Sequence, residues 1–234
     1  MKKNGMHFLS KIFKKKEYMD DFLDGNLYMN CLGFFKNVED SKNTQFDSKE
    51  AIKSYLQPDD LQIVIKFKDQ IIHLDNNDLA GPLIIQNNGY NNLKIICFYS
   101  PFISYSDLSQ SKEELKITEK MKEDFGEYAI VITNFTEFSN RLEIAIKNHK
   151  DIKACRHTKV DYFSDDFHGS FNDDEIPFKK HGAFSFQKEY RIVVRTEQHD
   201  ENPLILNVGD IRDICLPFTV EQFNEIELKI KEEP

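Results

Sequence analysis

A chain of 234 residues is long enough for one substantial domain with an ordinary core, and its formal charge of -9 gives duplex nucleic acid a repulsive average field. Four scattered cysteines, Cys31, Cys97, Cys155 and Cys215, have no short paired spacing, which excludes a zinc ribbon or disulfide framework and points to reduced, packed thiols. The basic opening, Lys2, Lys3, Lys11 and Lys14 to Lys16, flanks only His7-Phe8-Leu9 and Ile12-Phe13; these are too short for a signal core or a membrane span, so a cytoplasmic protein without a membrane partner is expected.

Residues 1–16 read as a basic, weakly patterned segment that frays or begins the first helix, and 17–234 as a single domain. Tyr18, Phe22 and Leu23 fall at helical spacing and Gly25 offers a left-handed C-cap, so a short helix should end there. Leu27-Tyr28-Met29-Asn30 alternates like a strand, the apolar character runs on from Leu32 to Phe35, and Ser41 to Lys49 reads as an exposed loop. Leu61 to Phe67 and Ile71 to Leu74, joined by Lys68-Asp69-Gln70, predict an antiparallel hairpin. Gly81-Pro82 and Asn87-Asn88-Gly89 supply turn chemistry around Leu83-Ile84-Ile85. Leu93 to Tyr99 is nearly all apolar, as a central strand covered on both faces would be.

Ser111 with Glu114 forms a capping-box pattern ahead of Leu115, Ile117, Met121 and Phe125, which predicts a surface helix before Gly126. Tyr128 to Thr133 is β-rich, and Phe138, Leu142 and Ile146 at four-residue steps predict an amphipathic helix over 136–149. Strands are expected at Lys159 to Phe163, Leu204 to Leu206 and Ile211 to Leu216, with an acidic loop from Ser164 to Glu175. The chain closes on a helix capped by Thr219 with Gln222 in the box position, burying Phe223, Ile226 and Ile230. About eight strands and four helices, without repeats or linkers, make an α+β domain on a twisted mixed, largely antiparallel sheet.

The stretch richest in chemistry is Lys179 to Arg195, where a polar segment feeds a strand of aromatic and β-branched residues. Gln187 and Glu189, two residues apart at its mouth, should project from one strand face. A carboxylate there can steady a ribosyl oxocarbenium while the amide orients an acceptor. The structural alternative is that Glu189 pairs with Arg191 or a neighbouring lysine on an exposed face. Asp161, Asp165, Asp166, His168, Asp173, Asp174 and Glu175 have ligand types for a divalent cation, which a nuclease could combine with Glu189 and Lys188, but the spacing is not that of an EF-hand and solvated loop charge also explains it, so no metal site is assigned. Cys155-Arg156-His157 puts a thiol beside a cation.

Gln187-x-Glu189 resembles the Gln/Glu-x-Glu motif of mono-ADP-ribosyltransferases. The resemblance implies NAD as substrate, Glu189 as catalytic carboxylate and Gln187 as the acceptor-orienting group. The early Arg of that family is missing, so Asn30 or His73 would take its place, with Tyr28 or Tyr99 stacking on nicotinamide. Phe22 to Phe35, with its Leu27-Tyr28-Met29-Asn30 core, together with Phe186-Gln187-Lys188-Glu189-Tyr190-Arg191, is also similar to a family of uncharacterised prokaryotic and phage-encoded proteins, a resemblance that implies a setting in phage–bacterium conflict. A protein acceptor or partner is expected on this reading. Its rival is an inert acidic module that inhibits a basic nuclease or defence protein.

Overall fold

From Gly5 to Phe13 the basic opening is largely strand, not frayed helix. In the computed structural model, which describes residues 5–36, 47–105, 113 and 115–229, Gly5–His7 forms β1 and Leu9–Phe13 forms β2. In β2 Leu9, Ser10 and Phe13 are buried, while Lys11 and Ile12 are partly exposed. Helix α1 (Lys16–Leu23) buries Met19, Phe22 and Leu23 and ends, as its spacing predicts, at Gly25. That glycine has φ +91°, and a Cβ there would lie 2.0 Å from the Gly209 carbonyl oxygen, so both conformation and contact require glycine.

Strand β3 (Asn26–Cys31) and β4 (Ile52–Leu56) lead to the predicted hairpin, β5 (Ile63–Phe67) and β6 (Gln70–Leu74), followed by β7 (Leu83–Gln86), β8 (Lys94–Tyr99) and β9 (Phe102–Ser104). Helix α2 (Glu119–Phe125) is capped by the Thr118 side chain; the expected Ser111 and Glu114 box lies outside the described residues. Then come β10 (Tyr128–Ile132), α3 (Phe135–Asn148, capped by Asn134), β11 (Ile152–Lys159), β12 (Asp161–Phe163), β13 (Gly169–Ser170), β14 (Lys179–His181), β15 (Glu189–Thr196) and β16 (Leu204–Asn207). The strand expected over Lys159 to Phe163 is divided between β11 and β12, since Val160 turns its N–H to the Glu189 carbonyl. The segment expected as strand from Ile211 begins as a 3-10 turn, and β17 runs Cys215–Thr219 into α4 (Val220–Asn224). Thr219 and Gln222 form the predicted capping box; Phe223 is buried, Ile226 lies past the helix end, and Ile230 is outside the described residues.

This is an α+β fold on a largely antiparallel sheet. Its main sheet runs β11-β15-β8-β2-β10-β17, with β3 on β8 and β16 on β3. The side chains of Ile96 and Phe98 enter the core with Phe22, Phe138 and Leu142 beneath α1 and α3. On the opposite face two smaller cores form, one around Ile95, Tyr55 and Val193 and the other around Tyr99, Met121 and Phe223. Strand β8 is therefore covered on both faces, as its apolar run predicts.

The sheet forks at β8. One edge pairs with β15 from Glu189↔Tyr99 to Val194↔Lys94. The other edge is shared: β2 reaches it only through Ser10↔Tyr99, and β3 through Asn30↔Ile95 and Cys31↔Lys94. Residues 96–98 have no strand partner on that edge among the described residues. Helix α1 connects the two prongs and packs beside the opening.

Candidate functional site

A cleft of about 650 Å³ opens at the fork. That is within the size range of small-molecule sites. Its walls are mostly apolar, from Tyr18 and Phe22 of α1, Tyr28 of β3, Phe34 and Phe35, and Met121 and Phe125 of α2. Its floor is ionic. Because the fork is a gap in the sheet, groups from both faces meet there: Lys11 shares its face with Leu9 and Phe13, whereas Glu189, Arg191 and Lys180 come from the other.

The floor is organised by Arg191, 1% exposed. Its Nε donates to Glu189 Oε2 (2.8 Å), its two terminal nitrogens grip Glu50 Oε1 and Oε2 (2.7 and 3.0 Å), and one of them also donates to the Pro177 carbonyl (2.8 Å). Bidentate geometry of this kind is where arginine is strongest. Lys180 takes the other Glu189 oxygen (2.5 Å) and Gln187 Oε1 (2.7 Å). Burial alone would raise the Glu189 pKa; Arg191 and Lys180 outweigh it and hold the carboxyl well below the usual range, so the group is anionic at neutral pH. Lys11, Lys180 and Arg191 line this floor together with Glu50 and Glu189, three basic side chains gathered in a chain whose net charge is -9. Asp47, buried against this network, is pushed up to about 6 by burial and by Glu50; its Oδ1 accepts from the Lys49 N–H, and its Oδ2 has no hydrogen-bond partner among the described residues.

Gln187 and Glu189 converge, though not as successive same-face residues of a strand. Gln187 ends a 3-10 turn, Lys188 adopts φ +42°, and β15 starts only at Glu189. The left-handed residue swings both side chains onto Lys180. Glu189 is paired with Arg191 and a lysine, as the structural alternative anticipated, but in a buried setting and not on an open strand face.

Tyr28, half exposed, and Asn30 line the cleft from β3, and Asn30 Oδ1 also accepts from the Cys31 N–H (2.9 Å). Tyr99 borders the inner end, buried, with its hydroxyl donated to the Lys116 carbonyl (3.3 Å). His73 does not join them. It sits exposed on β6 opposite Val64, in a hairpin separate from the main sheet. Lys11, Glu50 and Lys180 were not singled out from sequence. Glu50 lies 141 positions from its arginine partner, and no local spacing signals such a contact.

The acidic loop is stitched to basic side chains. Asp161 meets Lys179 (2.5 Å), Asp165 meets His181 (2.6 Å), Asp173 meets Lys53 (2.6 Å) and Asp174 meets Arg156 (2.7 Å). Among the described residues no group of three or more His, Cys, Asp or Glu is placed to hold a metal ion. All four cysteines are free; burial pushes the Cys97 thiol up to about 12 and the Cys155 thiol up to about 11, so neither is a thiolate at neutral pH. No described helix is long and apolar enough to cross a membrane. The chain matches no family model, and neither a curated protein nor a solved structure matches it.

Proposed function

We propose that the forked cleft binds a nucleotide-class anion, NAD first among them, and that the chain acts as an ADP-ribosyltransferase-like protein with Glu189 facing the ribose. The observation that supports this reading is the convergence of Tyr28, Asn30, Tyr99, Gln187 and Glu189 on one cleft of nucleotide size whose floor carries the basic side chains of Lys11, Lys180 and Arg191. Aromatic side chains at the rim suit a flat base, and the cations suit a diphosphate. In the transfer step the nicotinamide–ribose bond breaks with its electron pair leaving on nicotinamide, and an ionised carboxylate steadies the ribosyl cation left behind. Both Glu189 oxygens are occupied in this state, so the ligand must first draw Lys180 away. A diphosphate competes for that ammonium and would uncover Oε1.

Incubation with NAD, with released nicotinamide followed by chromatography and attached ADP-ribose by mass, tests the reading. Glu189→Gln, with its fold checked by thermal melting, is expected to lower release by about 10²-fold or more. Equal release from both proteins, or no NAD binding by the wild type, would overturn it. The occupied state of Glu189 favours one second reading, an acidic module that engages a basic protein and turns nothing over. Stable co-purification with a basic partner, undiminished in Glu189→Gln and accompanied by no NAD binding, is its expected result.

A further inference from the structure

Lys11 differs from the other two cations of the floor. Lys180 and Arg191 are each held by carboxylate oxygens. Lys11 Nζ reaches a single hydrogen-bond acceptor among the described residues, the Cys97 carbonyl at 3.0 Å, which belongs to the part of the β8 edge that the fork leaves unpaired. The nitrogen also lies 5.6 Å from the centroids of both the Phe13 and the Phe98 ring. It is thus an amine between two aromatic faces, with one neutral acceptor, no carboxylate in contact and an open cleft in front of it.

We propose that Lys11 is a carbonyl-condensing amine, and that the cleft takes an aldehyde or ketone joined to an anionic, flat body. The neutral amine adds its lone pair to the carbonyl carbon; a C=N bond replaces the C=O bond, and both nitrogen protons leave with the oxygen as water. The iminium that forms on protonation keeps an N–H for the Cys97 carbonyl and a positive charge for the two rings. Burial favours the neutral amine needed for the first step: it lowers the Lys11 pKa, with the neighbouring Cys97 and Glu189 opposing only in part. Desolvation in an apolar pocket is a general way in which proteins activate lysine.

The inference uses the same cleft as the proposed function but needs no nicotinamide chemistry, so the two can fail separately. Pyridoxal 5′-phosphate, an anionic aromatic aldehyde, is incubated at neutral pH with the full chain and cyanoborohydride, which delivers hydride to the imine carbon. The adduct is then located by peptide mass. Lys11 is expected to be labelled several-fold faster than exposed lysines such as Lys147 and Lys229, since lowering an amine's pKa raises the share that is neutral at this pH. Lys11→Arg, which keeps a long basic side chain at that position but forms no stable imine, should lose the fast adduct while keeping its melting temperature. Labelling confined to exposed lysines with Lys11 untouched, or a fast adduct that survives in Lys11→Arg, would overturn the proposal.

Discussion

The cleft floor and the β5–β6 hairpin invert the usual arrangement in opposite senses. At the floor Glu50, Glu189, Lys180 and Arg191 are all buried, whereas on the hairpin Val64, Ile65, Phe67, Ile71 and Ile72 are all exposed. The hairpin is a two-stranded sheet of its own, and such a unit is marginal in water. Buried charge and displayed apolar surface both cost stability. The difference lies in how each is compensated. At the floor every one of those ions has a charged partner within 3.0 Å, so the charges compensate one another internally. On the hairpin the apolar side chains face water, and their compensation would have to come from something that covers them.

The comparison breaks most directly at Arg191. Arg191→Met leaves two buried carboxylates facing each other without a guanidinium and takes a donor from the Pro177 carbonyl. The expected loss is about 3–5 kcal/mol of unfolding free energy, read from urea denaturation. Replacing all four buried ions, Glu50, Lys180, Glu189 and Arg191, by apolar residues of similar volume should recover more than half of it, because the desolvation cost disappears with the charges. If the single and quadruple variants are equally unstable, packing around Arg191 matters more than its charge.

A smaller effect is expected at Asp47. Its carboxyl is raised from an ordinary 3.8 to about 6, so between those pH values the native chain holds a proton that the unfolded chain releases. Stability from this group is therefore fully present below pH 3.8 and is lost as pH rises through 6, an effect of about 3 kcal/mol. Asp47→Asn removes the titration. It should stabilise the chain by about 2 kcal/mol at neutral pH, and the advantage should vanish in acid, as measured by denaturation across the range. A constant difference at all pH values would show that Asp47 does not titrate in that window.

What sequence alone disclosed follows from the range of each interaction. The β8 run, the Phe138/Leu142/Ile146 stripe, the Thr219 capping box and the hairpin all rest on contacts or patterns within a few residues, and all appear where expected. Strand β2 was hidden because Lys11 and the flanking Lys14 to Lys16 imitate a solvated tail; Lys11 instead turns into the fork, and the basic group that masks the strand is one the cleft encloses. Arg191 was legible as a partner of Glu189 through their two-residue spacing, but Lys180 and Glu50 complete the network only across folded distance. His73 lies on the expected strand, but period-2 alternation does not say to which sheet a strand belongs.

The smallest expected change in stability tests the other side of the comparison. Phe67 and Ile71 are each 60% exposed near the hairpin turn, so Phe67→Ser with Ile71→Thr removes apolar area that the isolated chain leaves in water. Unfolding free energy should stay within about 0.5 kcal/mol of the parent, since surface positions away from caps, cores and strained backbone seldom cost more. Binding of an apolar dye should fall over the same pair, because the displayed patch shrinks. A loss above about 1 kcal/mol would mean that these rings and methyls pack within the chain, and the hairpin would then resemble the floor, compensated internally.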